Sequence, residues 1–600
     1  MDAVLESRGF GSIFRGWISA ALSSGRTAIL LNGVPGRWIQ CKKGLRQGDP
    51  ISPYLFLILG ELLHLMVVGG AGGDRLLHPL DDDLPCPVVQ YADDTLLILR
   101  ADRGQLTLLR DILDSFSLAT GLEINYHKST FVPIQVAPDR AAELASVLGC
   151  PTASFPQTYL GLPLSDSKLP ASALEYLATT VSNRIPSWRT SLIPIGGRVT
   201  LASSVLSALP MFAMSVLPLS KGTLTKIDRP RRALVWAAAA ECSGGDCQVA
   251  WDFVCRLRSE GGLGVVDLEL QNKCLLLKMV HSLFSGRDTP WTRWVRRSYF
   301  GPDPAPVTPS WRHFQSLIPL YRSITTVVPG DGATTSLWHD SWTALGALAF
   351  ALPAAYSHCC DPGATIEVAL REGGPRVPLQ PRVSEQAAAE MTFLRASLRR
   401  LTLSGSHDAR SVSVGWSSSF RTSEVYRALH SSGCVVPLQE ANWDCFAPPK
   451  VRIFFWILRH RKTRTRAHLF RLGIAPNPHC PFCPGCHEDL PHLFYGCPRL
   501  VPLWARLSPS FRPIGDDVVR LFGDLSAGLP PMHATVVNTV SLAVLWSIWK
   551  ARNRKVFEGE LLSTARILAM VADHLQLWTC RAPRRLPLDD LRAWCDTVLR

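Results

Sequence analysis

Apolar residues in the first hundred positions follow two rhythms. Over residues 2–22 they recur at helical spacing, with Phe10, Phe14, Trp17, Ile18 and Leu22 on one face and interruptions at Gly9 and Gly11. Residues 27–31 and 36–41 read as strands, and Asn32-Gly33-Val34-Pro35 between them predicts a hairpin. Lys43-Gly44-Leu45-Arg46-Gln47-Gly48-Asp49-Pro50-Ile51-Ser52-Pro53 then leads into an apolar helix running to Leu65. Its prolines suit a first helical turn, its glycines permit close backbone approach to a ligand, and Lys43 and Arg46 suit phosphates. By residue pattern alone an ordinary loop-to-helix entry is the commoner case. Further on, residues 87–91 and 95–100 are β-branched or aliphatic, and the polar Asp93-Asp94 pair falls between them, the layout of a hairpin with a two-carboxylate turn.

Downstream the pattern is mostly helical. Residues 199–219 form a long uncharged stretch with several serines, Pro210 and Pro218, which predicts a buried core helix followed by a kink. A basic helical segment follows, with Lys226, Arg229, Arg231 and Arg232, ending at Trp236. Glu260-Gly261-Gly262-Leu263-Gly264-Val265 is a glycine-rich turn but not the dinucleotide fingerprint, so no nucleotide is expected there. Prolines cluster over 290–309 and, with glycines, over 353–381, which predicts linkers or surface loops around Trp311, Trp338 and Trp342. From Pro449 a helix is expected to continue through Arg466, and the tail 532–600 reads as two or three amphipathic helices, one containing residues 544–553.

Composition narrows the classes. Six hundred residues suffice for three or more domains, and an apolar content of 47% with 18 tryptophans argues against wholesale disorder. The net charge of +14 favours a polyanionic partner. Seventeen cysteines, an odd number without a repeating framework, together with a start that lacks a secretory pattern, predict a reducing compartment, nuclear or cytoplasmic, with thiols free or on metal. No membrane partner is expected: residues 54–68 are short for a span and carry Glu61 and His64.

Three groups of residues carry candidate chemistry. Adjacent carboxylates at a buried turn repel, and a divalent cation such as Mg²⁺ is the usual remedy, so Asp93 and Asp94 are candidate metal ligands; a solvated turn is the bland alternative. Cys480, Cys483, His492 and Cys497 form a C-x2-C-x8-H-x4-C cluster that suits a closed structural Zn²⁺ site, with Cys486 and His487 as nearby substitutes. Between Lys450 and Arg471 there is no acid, and Arg452, Arg459, Arg461, Lys462, Arg464 and Arg466 interleave with aromatics. That fits phosphate neutralisation with base stacking, or an amphipathic helix whose aromatics are buried and whose cations are merely solvated.

Gly44-Leu45-Arg46-Gln47-Gly48-Asp49-Pro50 followed by Tyr91-Ala92-Asp93-Asp94 resembles the reverse transcriptases of non-LTR (LINE-type) retrotransposons, particularly plant ones. Residues 121–129, Tyr159-Leu160-Gly161-Leu162-Pro163-Leu164, Ile185-Pro186-Ser187-Trp188 and Gly196-Gly197-Arg198-Val199-Thr200-Leu201 extend the resemblance in order, and the cysteine cluster is similar to the zinc-binding domain of such enzymes, including Glu488-Asp489 and His492-Leu493-Phe494.

The resemblance implies an α+β fold. Residues 1–165 would be an incomplete palm of antiparallel hairpins plus helices, 166–290 a helical thumb and connection, 291–420 a variable linker region, 421–510 a small zinc-binding domain and 511–600 a helical tail. It implies two-metal phosphoryl transfer (Mg²⁺ or Mn²⁺) by Asp93 and Asp94, a nucleotide and template site at Arg46, Gln47, Gly48 and Lys128, and an RNA template, DNA primer and dNTP as partners. One departure stands out: the family's other catalytic aspartate lies upstream of the glycine-glutamine-glycine segment, where this sequence has only Asp2 and Glu6 as acids, neither in the family's pattern. The chain alone is therefore expected not to extend a primer. A non-catalytic nucleic-acid-binding relic using the basic helix and zinc knuckle is the alternative.

Overall fold

The protein is described from a computed structural model covering residues 1–600 apart from 43, 47, 70–74, 80–85, 186–189, 301–303, 372–374, 415–418, 432–442, 508–528, 587 and 597–600. Lys43, Gln47 and the 186–188 motif thus lie outside the described residues. The chain divides into two compact units, Met1–Leu169 and Pro170–Arg600.

In the first unit, helices alternate with two-residue-turn hairpins, an α+β arrangement. Helices Asp2–Ser7 and Ser12–Ser23 break at Gly9, which takes φ +81°. Of their predicted apolar face only Ile18 is buried, packed with Leu5 and Leu55, whereas Trp17 is exposed. The Asn32-Gly33 hairpin forms as expected, pairing Leu30–Leu31 with Val34–Pro35, and both turn residues take the left-handed φ that type I′ turns require. The next helix, Ser52–Gly69, spans both small cores of the unit: Leu55 faces the amino-terminal helices, while Leu63 and Val67 pack with Leu106, Leu109, Ile112, Phe116 and Leu144 from helices Arg103–Thr120 and Pro138–Leu148. Asp102 caps the first of these through the Gln105 N–H, and Gly121 ends it in the left-handed conformation.

Apart from the buried faces of helices Glu175–Asn183, Ile195–Leu201 and Lys221–Ala237, three cores stand out among the described residues of the second unit. The first joins helix Leu268–Phe284 to Pro309–Ser323 and Thr422–His430, with Tyr321 stacked on Phe284. The second gathers Leu337, Trp338, Leu348, Met391 and Leu394. Residues 291–420, expected to be linker, are therefore mostly folded. Their prolines start helices such as Pro309–Ser323 and Pro353–Ser357, where a missing N–H costs nothing, so proline density was a poor guide to looseness. A strand pair, Thr325–Val328 with Ala409–Val412, adds Val412 to the first of these cores. Beside it, buried Asp408 accepts from the Gly330, Gly332 and Thr334 N–H groups and the Thr334 and Thr335 hydroxyls, all within 3.0 Å. Buried Asp340 pairs with Arg410 through two bonds of 2.9 Å.

The third core unites the zinc-type cysteine segment with the tail. Val451, Phe454, Phe455 and Leu458 of helix Pro449–Arg459 pack with Phe494 and Leu503 and with Leu542, Leu545, Ile548, Leu568 and Leu575 of helices Pro531–Phe557 and Thr564–Thr579. Helix Pro449–Arg459 also presses its start onto helix Ile195–Leu201, where a Cβ on Gly196 would sit 2.7 Å from Pro449. On a further side, the Trp456 indole N–H donates to the Gly261 carbonyl at 2.6 Å. The glycine-rich turn thus serves packing: a Cβ on Gly262 would meet the Arg256 carbonyl oxygen at 1.9 Å. The uncharged stretch from Val199 continues the helix begun at Ile195 to Leu206, with a wide final turn, and the helix is interrupted before Met211–Met214, as the prolines predicted. By length and composition two helices, Ser52–Gly69 and Pro531–Phe557, could cross a membrane; the second is more than half buried in its own core.

Two stability outcomes follow. Gly262→Ala should cost about 1–3 kcal/mol in chemical denaturation, because overpacking against backbone cannot relax, whereas Gly244→Ala, which meets open space, should be near neutral. Burial pushes the Asp408 carboxyl up, but its hydrogen bonds from Thr335, Gly330, Thr334 and Gly332 prevail and hold it below the ordinary carboxylate value. A depressed folded value adds stability above the unfolded pKa of about 3.9 and loses it as pH falls further, so Asp408→Asn should lower the melting temperature at pH 7 and flatten its dependence below about pH 4.

Candidate functional sites

The carboxylate hairpin pairs Val88–Tyr91 with Asp94–Leu97, Tyr91 opposite Asp94. Ala92 takes φ +50° in the two-residue turn, an uncommon conformation for a residue with a Cβ. Val88 and Leu97 anchor the hairpin on the core of helices Ser52–Gly69 and Arg103–Thr120. The tip itself is solvent-exposed at Tyr91, Ala92, Asp93 and Asp94. The expectation of a buried turn is thus corrected: among the described residues nothing covers the two-residue turn at the end of this short hairpin. Water screens the two carboxylates, and both are open to cations from solution. Among the described residues no third carboxylate, histidine or cysteine joins them in a metal-sized cluster.

The glycine-glutamine-glycine segment lies in the same unit. Arg46 donates to the Asp49 carboxylate at 2.9 Å and to the Ala21 carbonyl at 3.2 Å, which fixes its guanidinium against the end of helix Ser12–Ser23. Gly48 takes φ +87°, a conformation suited to glycine, and a Cβ there would meet nothing within 4 Å. Lys128 is exposed after the turn in which its N–H bonds to Asn125. The 159–164 motif is a hairpin, Gln157–Tyr159 with Leu162–Leu164, whose Leu160 and Gly161 both take positive φ.

In the second unit the ligand atoms of Cys480, Cys483, His492 and Cys497 lie within 4.8 Å of one another. Cys483 Sγ is 3.6 Å from Cys497 Sγ and 3.0 Å from His492 Nε2. A tetrahedral zinc with thiolate arms of about 2.3 Å has sulfur–sulfur edges of about 3.8 Å, so the cluster has the size and donor set of that ion. The knuckle closes through the Cys480 N–H to the Cys486 carbonyl at 2.8 Å. That bond commits the Cys486 backbone to the turn, and its exposed thiol stays outside the four-residue cluster, as does His487. Asp489 Oδ1 accepts the His492 N–H at 2.8 Å and starts the turn that presents the imidazole. The Cys480 thiol is pushed down to about 5, first by the hydrogen bond from Cys497, against burial; Cys497 is raised by the same bond. Burial raises Cys483 to about 11. Binding of a metal by these four ligands would displace the protons their thiols carry.

The basic segment departs from expectation. Helix Pro449–Arg459 stops at His460, and Arg461 takes φ +54°; a second helix, Arg466–Arg471, restarts after Thr465, whose hydroxyl caps it. Residues 461–465 therefore form a loop instead of a continuous basic helix. Phe454, Phe455 and Trp456 are core residues, so they offer no stacking platform. Arg452 folds back onto the Ala447 and Cys445 carbonyls at 2.9 and 2.8 Å. Arg459 and Arg466 are half-buried, and Arg461, Lys462 and Arg464 are exposed on the loop.

Sequence reasoning missed the role of Arg552. It lies four residues beyond Ile548 on the buried face of helix Pro531–Phe557 and pairs with buried Glu488 through bonds of 2.7 and 2.8 Å. A lone arginine on an apolar helix face was the available signal.

Comparison with known proteins supplies two family matches. Residues 2–164 match the family described as reverse transcriptase (RNA-dependent DNA polymerase), and residues 420–504 match the one described as zinc-binding in reverse transcriptase. A protein of Arabidopsis thaliana named for ribonuclease H is 24% identical over 414 residues, 66% of this chain and 66% of the relative. A retrovirus-related Pol polyprotein from a type-1 retrotransposable element of Popillia japonica is 32% identical over 124 residues, 20% of this chain and 16% of the relative. An uncharacterized mitochondrial protein of Arabidopsis thaliana is 31% identical over 146 residues, 22% of this chain and 92% of the relative. The chain thus spans about two thirds of the first relative's length and a sixth of the second's.

Zinc analysis of the purified full chain should find about one equivalent, and Cys483→Ser or His492→Ala should reduce it below half, measured by elemental analysis after desalting.

Proposed function

Because the chain belongs to the retrotransposon reverse transcriptases, we propose that its first unit carries the metal-binding half of an RNA-directed DNA polymerase site and its second unit a structural zinc centre beside a nucleic-acid-binding loop. The observation that carries the reading is the pair Asp93 and Asp94 at the exposed tip of a hairpin whose base is locked into a core. A rigid hairpin holds its tip carboxylates in a fixed place, and position supplies most of the catalysis in phosphoryl transfer. Mg²⁺ or Mn²⁺ bound there would activate a primer 3′-hydroxyl and neutralise the leaving pyrophosphate.

The chain's own side chains have narrower roles. Asp93 and Asp94 hold the cations. Arg46, set by Asp49 and the Ala21 carbonyl, is pre-oriented to meet nucleotide phosphate without losing much rotamer freedom. Gly48 leaves room for backbone approach to the nucleotide and template, and Lys128 adds an exposed positive charge for the triphosphate. Gln47 keeps its template role by resemblance alone. RNA template, DNA primer and dNTP are the corresponding partners.

Two carboxylates do not clamp two metals by themselves, and among the described residues none joins Asp93 and Asp94. The site is completed by a carboxylate from a further segment, and without one the chain binds nucleic acid but does not polymerise. The exposed cations Arg461, Lys462 and Arg464 favour that second, binding reading for the zinc-bearing region.

Primer extension by the purified chain with Mg²⁺, an RNA template and dNTPs should stay at background; extension that Asp93→Ala abolishes would contradict this. RNA affinity should fall steeply with salt, and replacing Arg461, Lys462 and Arg464 by Ala should flatten the log–log salt slope by about two to three; an unchanged slope would remove the loop from the interface.

A further inference from the structure

The metal cluster is built from two pieces of chain, and Glu488 lies between them. Cys480 and Cys483 precede it on the knuckle; His492 and Cys497 follow it on a separate turn. Its backbone is pinned on both sides: its N–H donates to the Pro478 carbonyl at 2.8 Å, and its carbonyl accepts the Ala467 N–H at 3.3 Å. Its side chain is fully buried. One carboxylate oxygen accepts from Arg552 Nε at 2.7 Å, and the other accepts from Arg552 Nη2 at 2.8 Å and from the Arg466 backbone N–H at 2.6 Å. The next residue, Asp489, starts the His492 turn. A rotation of Glu488 would therefore carry one pair of ligands relative to the other.

Arg552 comes from the tail helix Pro531–Phe557, beyond the 420–504 segment that matches the zinc-binding family. Its guanidinium is 97% removed from solvent and lies over the Trp549 ring at 5.1 Å. Packing alone does not explain the pair. Phe454, Phe494, Leu545 and Ile548 already join helix to knuckle, and a buried ion pair gives little net stability over apolar residues of similar size. What a bidentate arginine–carboxylate pair supplies is orientation, because its two parallel bonds form in one relative geometry.

Resting on the zinc reading above, we propose that Glu488 and Arg552 form a positioning clasp through which the docked tail helix sets the geometry of the metal site. The knuckle is not a self-contained zinc module: its affinity depends on a residue 55 positions beyond the last ligand, Cys497. Neither clasp residue touches the ion, so each acts on the ligands by fixing the chain between them.

The test is zinc affinity of the full chain, by competition with a chelating dye, with helix content followed by circular dichroism. Arg552→Met should weaken zinc about 10–100-fold, the range for residues that orient metal ligands. Arg552→Lys should recover part of the loss. The double variant Glu488→Gln with Arg552→Met leaves no unpaired buried charge, so it should keep wild-type helix content and still bind zinc as weakly as Arg552→Met. Leu575→Ala, which damages the same core away from the clasp, should leave affinity within about threefold. Wild-type affinity in the folded double variant would overturn the proposal, as would an equal loss in Leu575→Ala, which would reduce the effect to general stability. Unfolding of the double variant would also contradict it, because the pair would then be a structural support and not a positioning contact. A wild-type chain that holds no zinc removes the metal reading itself and the clasp with it; a wild-type chain with one zinc and an indifferent Arg552→Met removes the clasp alone.

Discussion

Burial of the helix Pro449–Arg459 on three sides is the constraint around which the larger unit is arranged. From Val451 to Arg459 no residue is exposed. Its first turn needs Gly196 so that Pro449 can approach, and its Trp456 needs the bare Gly261 carbonyl of a turn that only glycines can fold this tightly. Phe454, on another face, meets Trp546 and Trp549 of the tail at ring separations of 5.1 and 5.8 Å. Aromatic burial on this scale is worth several kcal/mol in roughly additive contacts. Connection, zinc-bearing segment and tail therefore share one helix, and the exposed cations after it are displayed from a fixed base.

The two candidate sites stand in opposite electrostatic settings. Asp93 and Asp94 sit in water, where adjacent charges repel weakly and a cation can come and go with its phosphate-bearing ligand. The sulfur ligands of Cys480 and Cys497 are buried, where an uncompensated charge is expensive and a tightly held ion is the natural counterpart. On the proposed reading, the first setting suits exchangeable cations and the second a resident ion.

Much of the local structure was legible. Asn32-Gly33 marks a turn that demands left-handed backbone, and a hairpin stands where those residues fall. The spacing of Cys480, Cys483, His492 and Cys497 reported a cluster because knuckle geometry is local. What failed was whatever depended on distant neighbours. The basic run read as one helix, yet Arg461 turns the chain, and periodicity cannot register a single left-handed residue. The tip carboxylates were expected under cover, but cover is a tertiary property. Arg552 gave only its charge to the reader; its partner lies 64 residues earlier. Proline density over 290–381 suggested looseness, although a proline at a helix start says nothing against a packed core.

The claim that zinc knuckle, basic helix and tail are one cooperative body is tested most directly by amide hydrogen exchange on the whole chain, with the metal bound and after chelation. Stripping the ion should raise exchange together in residues 480–497, in helix Pro449–Arg459 and in the Arg552 end of helix Pro531–Phe557. Faster exchange confined to 480–497, with both helices as protected as before, would contradict it.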